Sequence, residues 1–387
     1  MCDFILERYN TCDKIVRILL RYCPIWSTTR LQLSVKIFLQ CYASIVGTVI
    51  SFASFHKAFA TSDISTMTEC LVPAVTLLAI PIKLMVTVIY KHTFIDIYDQ
   101  LDRDLRFYCA DEATVTLNKM SVKMFSLSMK FLFICYKALV FNYIIIPPFF
   151  ILYQIITDVS PVRLIFPYPG TYPEIFTSNC IIFVVVYLLE TINVIVGAST
   201  SLGDDCFFGL VVFQMCTILN VLSNRVKNAK ENNELFTTLR ECIDKHCQLM
   251  DFAHRLEPIY ALIVLPQRVT DAIVICATIY QIHEISGFDV SQILLYSSWL
   301  AVKYLQLLTT AWYGSMLITE SEKLSTTIYS CNWPDFYNKK FMTNVIHVLQ
   351  QKSIMINVYG FFVISIPMAS TVIRASFSYF FLLQSFK

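Results

Sequence analysis

Seven stretches of this chain are apolar enough to sit in a lipid bilayer: about 31–56, 68–90, 131–156, 176–199, 259–282, 291–317 and 353–386. A transmembrane helix needs ~20 mostly apolar residues. In lipid, backbone N–H and C=O groups find partners only within a helix or a closed barrel. Glycine is scarce, at 8 in 387 residues, which argues against a many-turned barrel. The charged fraction is 15%, against a usual ~25% in soluble proteins. The expected fold class is therefore an all-α membrane protein with seven transmembrane helices. The seventh stretch is too long for one pass. Gly360 and Pro367 punctuate it, so a shorter helix is expected from about Asn338 and the final helix from about Met368.

Basic residues give the orientation, because Lys and Arg concentrate on the cytoplasmic side. Segments 1–30, 91–130, 223–255 and 320–340 are rich in them and fall on one side of a seven-span chain. The opposite loops hold Lys57 and Arg163. The N-terminus is expected to be cytoplasmic and the C-terminus extracellular. A G-protein-coupled receptor runs the other way round, and no Asp-Arg-Tyr follows the third span here. No secretory leader with a cleavage site is visible in residues 1–30. The expected organisation is a cytoplasmic segment 1–30, helices one to four over 31–222, and a cytoplasmic helical loop 223–258. Helices five and six follow over 259–317, then a cytoplasmic segment 318–352 and the last helix within 353–387. Leu235, Leu239, Ile243 and Leu249 make an apolar stripe in the 223–258 loop, which predicts a soluble helical layer below the membrane.

Motifs for chemistry are absent: no HExxH, GxSxG, GxxxxGK[ST] or GxGxxG occurs. No enzyme activity, cofactor or metal is expected. Cys242, His246, Asp251 and His254 lie close enough in sequence to be zinc ligands, but they also suit an ordinary amphipathic helix. Acids interleave the basic segments, so no nucleic-acid stripe exists. The fourteen cysteines read as reduced and buried, with a bridge between Cys70 and Cys180 left open. Ionisable residues inside the spans are more telling: Lys36, Lys83, Lys137, Glu190, Arg268, Asp271, Lys303 and Arg374. A charge at the bilayer centre costs ~3 kcal/mol or more, so such groups face protein or water unless they snorkel. Snorkelling suits Lys36 and Lys83. Glu190 and Arg374 lie too deep and point to a polar interior or a wet cavity.

In the closing helix, Thr371, Ala375, Ser378, Leu382 and Ser385 follow i, i+4, i+7, i+11, i+14, which is one helix face. Small residues on a face mark tight helix packing. The same face would also serve as a pore wall, narrowing at Leu382 to an apolar constriction that gates by dewetting.

Four stretches carry a family resemblance. "AWYGSMLITESEKLSTTIYSCNW" (311–333) resembles the sixth-span signature of insect odorant receptors, and "SYFFLLQSFK" (378–387) their closing helix. "LIFPYPGTYP" (164–173) is similar to their outer loop before the fourth span. "CIDKHCQLMDFAHRLEPIYALIVLPQ" (242–267) is similar to the segment leading into the fifth. The resemblance implies a subunit of a ligand-gated, poorly selective cation channel. Four subunits would surround one pore lined by the last helix, with a cytoplasmic anchor layer. The implied partners are a small volatile odorant, membrane lipid and the shared co-receptor Orco, in a heterotetramer or else a homotetramer. The implied pore face is Thr371, Ala375, Ser378, Leu382 and Phe386, with the gate at Leu382 and Phe386. Phe386 stands where the family has an aliphatic residue. Alternatives are a gustatory-type channel of the same superfamily, and a membrane transporter or enzyme.

The family pocket lies in the outer half of the bundle, between spans two, three, four and six. Depth and helical spacing put Val72, Val75, Thr76, Tyr143, Ile146, Phe150, Phe183 and Tyr187 there. Counting back from the matched C-terminus adds Ile293 and Tyr296. A ligand of about 12 heavy atoms at roughly 0.5 kcal/mol per atom would gain ~6 kcal/mol, giving affinity in the tens of micromolar.

The basic-residue bias generates a topology test. An epitope tag at the N-terminus should be reached by antibody only after permeabilisation, and a tag after Lys387 on intact cells. Surface labelling of the N-terminal tag would overturn the orientation.

Overall fold

The computed structural model describes residues 30–385, apart from 61–63, 109–111, 159–161, 163, 169–171, 173, 230–231, 286–289, 332 and 334–338. The segment 1–29, Phe386 and the side chain of Lys36 lie outside the described residues. Among the described residues, ten helices and one short hairpin follow in order. They are α1 (Arg30–Ala60), α2 (Ile64–Ile89), α3 (Lys91–Tyr108), α4 (Glu112–Ile156), α5 (Glu174–Ser178) and α6 (Cys180–Asn228). Then come α7 (Asn232–Glu284), α8 (Val290–Ser330), α9 (Lys339–Gln350), β1 (Asn357–Val358), β2 (Phe362–Val363) and α10 (Ile366–Ser385).

Five of these are long and apolar enough to cross a membrane: α2, α6 and α10 whole, and Asn118–Ile156 and Glu234–Glu284 within α4 and α7. In α1 the apolar described stretch is Ser44–Ala60. Several helices greatly exceed a bilayer. At 1.5 Å per residue, the 49 residues of α6 extend ~70 Å against a ~30 Å hydrocarbon core. The 223–258 loop is accordingly no separate element, since it closes α6 and opens α7. Local chemistry sets the ends of α6. Asn179 caps its start, with Oδ1 accepting from the Ile181 and Ile182 amides. Arg225 and Lys227 in its last turn suit the negative end of the helix dipole.

The densest core lies toward the bundle end formed by α3 and the C-terminal half of α6 (the inner end) rather than around the apolar N-terminal half of α6 (the outer end). Phe207, Leu210, Val211, Phe213, Ile218 and Leu222 of α6 are all buried there. Phe125 stacks on Phe213 with ring centroids 4.5 Å apart. The outer half of α6 instead exposes Ile181, Val184, Leu188 and Ile192, as a lipid-facing surface does. Helix α3 turns Phe94, Ile97, Tyr98, Leu101, Leu105 and Tyr108 inward at helical spacing. Its polar side meets α7 in an antiparallel ladder. Asp96 accepts from Arg255 at 2.6 Å, Asp104 pairs with Lys245 at 2.9 Å, and Tyr108 Oη donates to Glu241 at 2.7 Å. Arg255 holds the Asp96 carboxyl below the usual carboxylate range, while burial and Glu241 push the Tyr108 phenol up.

The punctuation expected near Gly360 and Pro367 is present. Phe361 N donates to Val358 O at 2.9 Å, and both central residues of that turn, Tyr359 and Gly360, have positive φ (49° and 76°). Pro367 sits in the first turn of α10, where a missing N–H costs nothing. Helix α8 cradles this segment. Ser321 Oγ accepts from Ile354 N and Ser315 Oγ from Ile366 N, each at 2.9 Å. At Gly314 an added Cβ would collide with the Ile364 carbonyl oxygen.

Gly314→Ala should therefore cost about 2–3 kcal/mol, the upper range for overpacking, because backbone must give way. Gly360→Ala meets no atom within 4 Å and should cost only ~1–2 kcal/mol of left-handed strain. Thermal midpoints of the detergent-solubilised variants check the order. Gly314→Ala no less stable than Gly360→Ala would refute it.

Candidate functional site

Two chambers lie among the helices, the inner between α2, α4, α6, α7 and α8 and the outer between α2, α4, α8 and residues 164–168 with Tyr172. The inner one encloses about 80 Å³. Its walls are mostly apolar, including Leu77, Ile80, Leu139, Val194 and Val302, with Lys83, Ser201 and Lys303 at the inner end. The outer one holds about 470 Å³ and is more open, with Glu69, Cys70, Ile146, Phe150, Phe166 and Leu295 in its walls. Tyr143 and Tyr168 line both chambers and so form the partition. Trp299 Nε1 donates to Tyr143 Oη at 2.7 Å, which fixes the Tyr143 ring edge-on to the indole.

The described part of the Pro-rich segment, 164–168 with Tyr172, folds back over the chambers and is tied down from within. Tyr172 Oη donates to Glu190 at 2.7 Å, and the Tyr168 amide donates to the same carboxylate at 3.3 Å. Phe166 stacks on Tyr172 and leans on Phe183. Glu190 is thus an internal anchor for the outer loop.

Helix α10 packs on α7 and α8 by one face only. Met368, Ala369, Ser376 and Phe380 are buried on it. Met368 and Ala369 meet Ile275, Leu307 and Ala311, and Phe380 meets Cys276 and Tyr280. The opposite face points out of the protomer: Thr371, Ser378 and Leu382 are exposed, and Ala375 is half-buried. Arg374, on the flank of that face, is exposed too. Its one hydrogen bond is from Nε to the Ser370 carbonyl at 3.4 Å.

The family model of the 7tm Odorant receptor matches residues 63–377. The chain belongs to the odorant receptor family. Odorant receptor 13a of Drosophila melanogaster is 23% identical over 239 residues, covering 57% of this chain and 57% of that protein. Odorant receptor Or2 of Anopheles gambiae is 23% identical over 151 residues, covering 39% of each. The chain thus spans little more than half the length of these relatives at most. The fold matches the insect olfactory receptor OR5 of Machilis hrabei solved with eugenol. The TM-score there is 0.74 at 12% identity, covering 99% of this chain and 100% of that one. A second structure of that receptor gives 0.75 at 13% identity, with both chains fully covered. With its several membrane-crossing helices, this odorant receptor is a multi-pass protein of the cell membrane.

The pocket residues expected from the receptor's sequence fall in three places. Thr76 and Tyr143 line the inner chamber, and Tyr143, Ile146 and Phe150 the outer. Tyr296 is buried with its hydroxyl on Glu69, at the wall of the outer chamber. Phe183 and Tyr187 sit behind the loop, and Tyr187 Oη donates to the Ile144 carbonyl at 2.7 Å. Val72 is buried, Val75 half-buried and Ile293 partly exposed, and none of the three lines either chamber. Tyr136, Tyr168, Ser201 and Trp299 line the inner chamber without having been expected from sequence. Lys83 and Lys303 had been flagged as intramembrane charges. Lys83 does not snorkel, being 5% exposed within the bundle. Cys242 and His246 face the core while Asp251 and His254 face outward, so those four do not converge. No disulfide joins Cys70 and Cys180.

Glu190→Leu should leave the Tyr168 amide without its acceptor and the Tyr172 hydroxyl with only the Tyr168 carbonyl at 3.0 Å, at about 1–2 kcal/mol in all, the lower range for stranded donors that are part-buried. The loop should then open roughly five- to thirty-fold more often. Trypsin cleavage after Arg163 in the purified protein reads this out. An unchanged cleavage rate would show that Glu190 is not the anchor.

Proposed function

We propose that this odorant receptor is a subunit of a ligand-gated, non-selective cation channel, opened by a small volatile odorant held in the two chambers. Seven spans with a cytoplasmic N-terminus and an extracellular C-terminus would place the chambers in the outer half of the membrane. The long inner ends of α4, α6, α7 and α8 would form the anchor layer where subunits meet. Assembly as a tetramer, with Orco or with itself, would bring four copies of α10 around one axis.

The observation that carries this reading is the exposed side of α10. Arg374 lies mid-helix, exposed, with only a long bond to its own backbone. An arginine facing lipid there costs ~3 kcal/mol or more, so that side suits water or a neighbouring subunit. The hydroxyls of Thr371 and Ser378 beside it bond back to carbonyls of their own helix, Pro367 O and Arg374 O. Leu382 then supplies an apolar ring that blocks hydrated ions until the pore widens.

Helix α8 supplies the link from ligand to pore. Trp299, Val302 and Lys303 face the inner chamber. Leu307 and Ala311, one to two turns on, pack on Met368 and Ala369 of α10. A ligand opens the pore only if it binds the open arrangement of α8 more tightly than the closed one.

Leu382→Ala should raise basal current, recorded in excised patches without GTP, with little change in odorant preference. The control is Phe381→Ala, since Phe381 is exposed about 100° around the helix from Leu382, whereas Phe380 is buried against α7. Cysteine introduced at position 382, but not 381, should let a hydrophilic thiol reagent alter the current. Equal behaviour at both positions would mean that α10 does not line a pore by this face.

A further inference from the structure

At the inner end of the inner chamber, hydrogen-bond donors crowd one acceptor, Ser201 Oγ. Lys83 makes one hydrogen bond, from Nζ to Ser201 Oγ at 3.2 Å, and no carboxylate lies within ion-pair reach of it among the described residues. Tyr136 Oη, itself buried, donates to the same Ser201 Oγ at 3.1 Å, and Gln306 Nε2 approaches it at 3.3 Å. A hydroxyl oxygen offers two lone pairs, so three donors compete for two sites. Gln306 has another partner in Asp205 at 2.5 Å, and Lys303 is taken up by Asp271 at 3.2 Å and Gln306 Oε1 at 3.4 Å. Among the described residues Lys83 has no second hydrogen bond, although the Asp204 carboxyl lies near enough to feel its charge. Lys83 therefore keeps unspent N–H groups at the wall of a mostly apolar cavity, and an unpaired buried donor is costly.

We propose that this chamber binds a compact, neutral carbonyl compound (a ketone, aldehyde or ester) whose oxygen accepts from Lys83. This deepens the odorant reading above and rests on it. The size follows from the volume. One water needs about 10–15 Å³ of such space, so the 80 Å³ chamber takes roughly five to eight heavy atoms. The neutrality follows from the charges around this end. Lys83, Arg268 and Lys303 are formally balanced by Asp204, Asp205 and Asp271, which lie beside them. A carboxylate would upset that balance. An amine would bring further N–H groups to Lys83, which needs an acceptor, and a hydrocarbon would leave Lys83 with Ser201 as its one hydrogen-bond partner.

The test compares 2-hexanone with 2-methyl-1-hexene, which has nearly the same shape and lacks the acceptor, and with hexanoate. Binding to the purified full-length receptor is read as a ligand-dependent rise in thermal midpoint, and current is recorded in parallel. The ketone should bind at least tenfold more tightly than the alkene and than hexanoate. Lys83→Met should bring the ketone-to-alkene ratio to within about twofold of unity, and Lys83→Gln, which keeps an N–H donor, should restore part of it. Equal binding of ketone and alkene by the native protein overturns the proposal, and this comparison decides even if Lys83→Met does not fold. An unchanged ratio in folded Lys83→Met overturns it as well. Tighter binding of hexanoate overturns the neutral head in favour of an acid. Ketone binding without any current supports the chamber assignment and sinks the channel reading. Current evoked by other odorants, with no ketone preference in binding, sinks the carbonyl proposal and spares the channel.

Discussion

Asp271 accepts from Lys303 at 3.2 Å and lies 3.2 Å from Arg268, with all three side chains at most 8% exposed. These charges stand in the membrane interior, where each alone would be expensive. Paired, they tie α7 to α8, and Gln306 extends the tie to Asp205 of α6. Removing one partner of such a group typically costs 3–5 kcal/mol, because the other charge is left buried and uncompensated. The two helices joined by Asp271 and Lys303 are the two that carry α10. The polar knot thus fixes the frame against which the last helix is held, and it forms the floor of the inner chamber.

Apolar surface then divides the molecule by depth. The inner ends pack into a continuous core around the middle of α6. The outer halves hold the chambers and show much of their hydrocarbon outward. Dense packing at one end and looser packing around the chambers make one end rigid and the other deformable, since close-packed interiors transmit strain while cavities absorb it. Residues 164–168 and Tyr172 close over the chambers by folding inward on Glu190.

The signature of the sixth span has a structural reason. Tyr313 packs on Gly209, where a side chain would collide with its ring, and its hydroxyl lies 2.6 Å from Ser128 Oγ. Gly314 lets the chain before α10 pass close by, and Ser315 and Ser321 accept its amides. This run of small and hydroxylated residues therefore docks the last helix on the helix that lines the chamber. Its likeness to the family pattern was readable in sequence, but its role was not, because Ile354, Ile364 and Ile366 lie more than thirty residues downstream.

The sequence by itself determined the helical class, the break at Gly360 and Pro367, and the outward stripe of α10, including the exposed Thr371, Ser378 and Leu382. Each of these follows from local chemistry. Apolar runs in lipid must be helical, turns need positive φ or proline, and a period of 3.6 fixes which residues share a face. Only the tertiary structure decided which residues line the chambers. Thr76 and Tyr143 were legible by depth, whereas Val75 and Ile293 lie off the walls and Tyr168, Trp299 and Ser201 take their place. It also decided that Lys83 turns inward to Ser201, 118 residues away. Periodicity sets angles within one helix but not the offset or rotation between helices. Those come from contacts such as Gly209 with Tyr313 and Asp271 with Lys303, which bring together residues far apart in the chain.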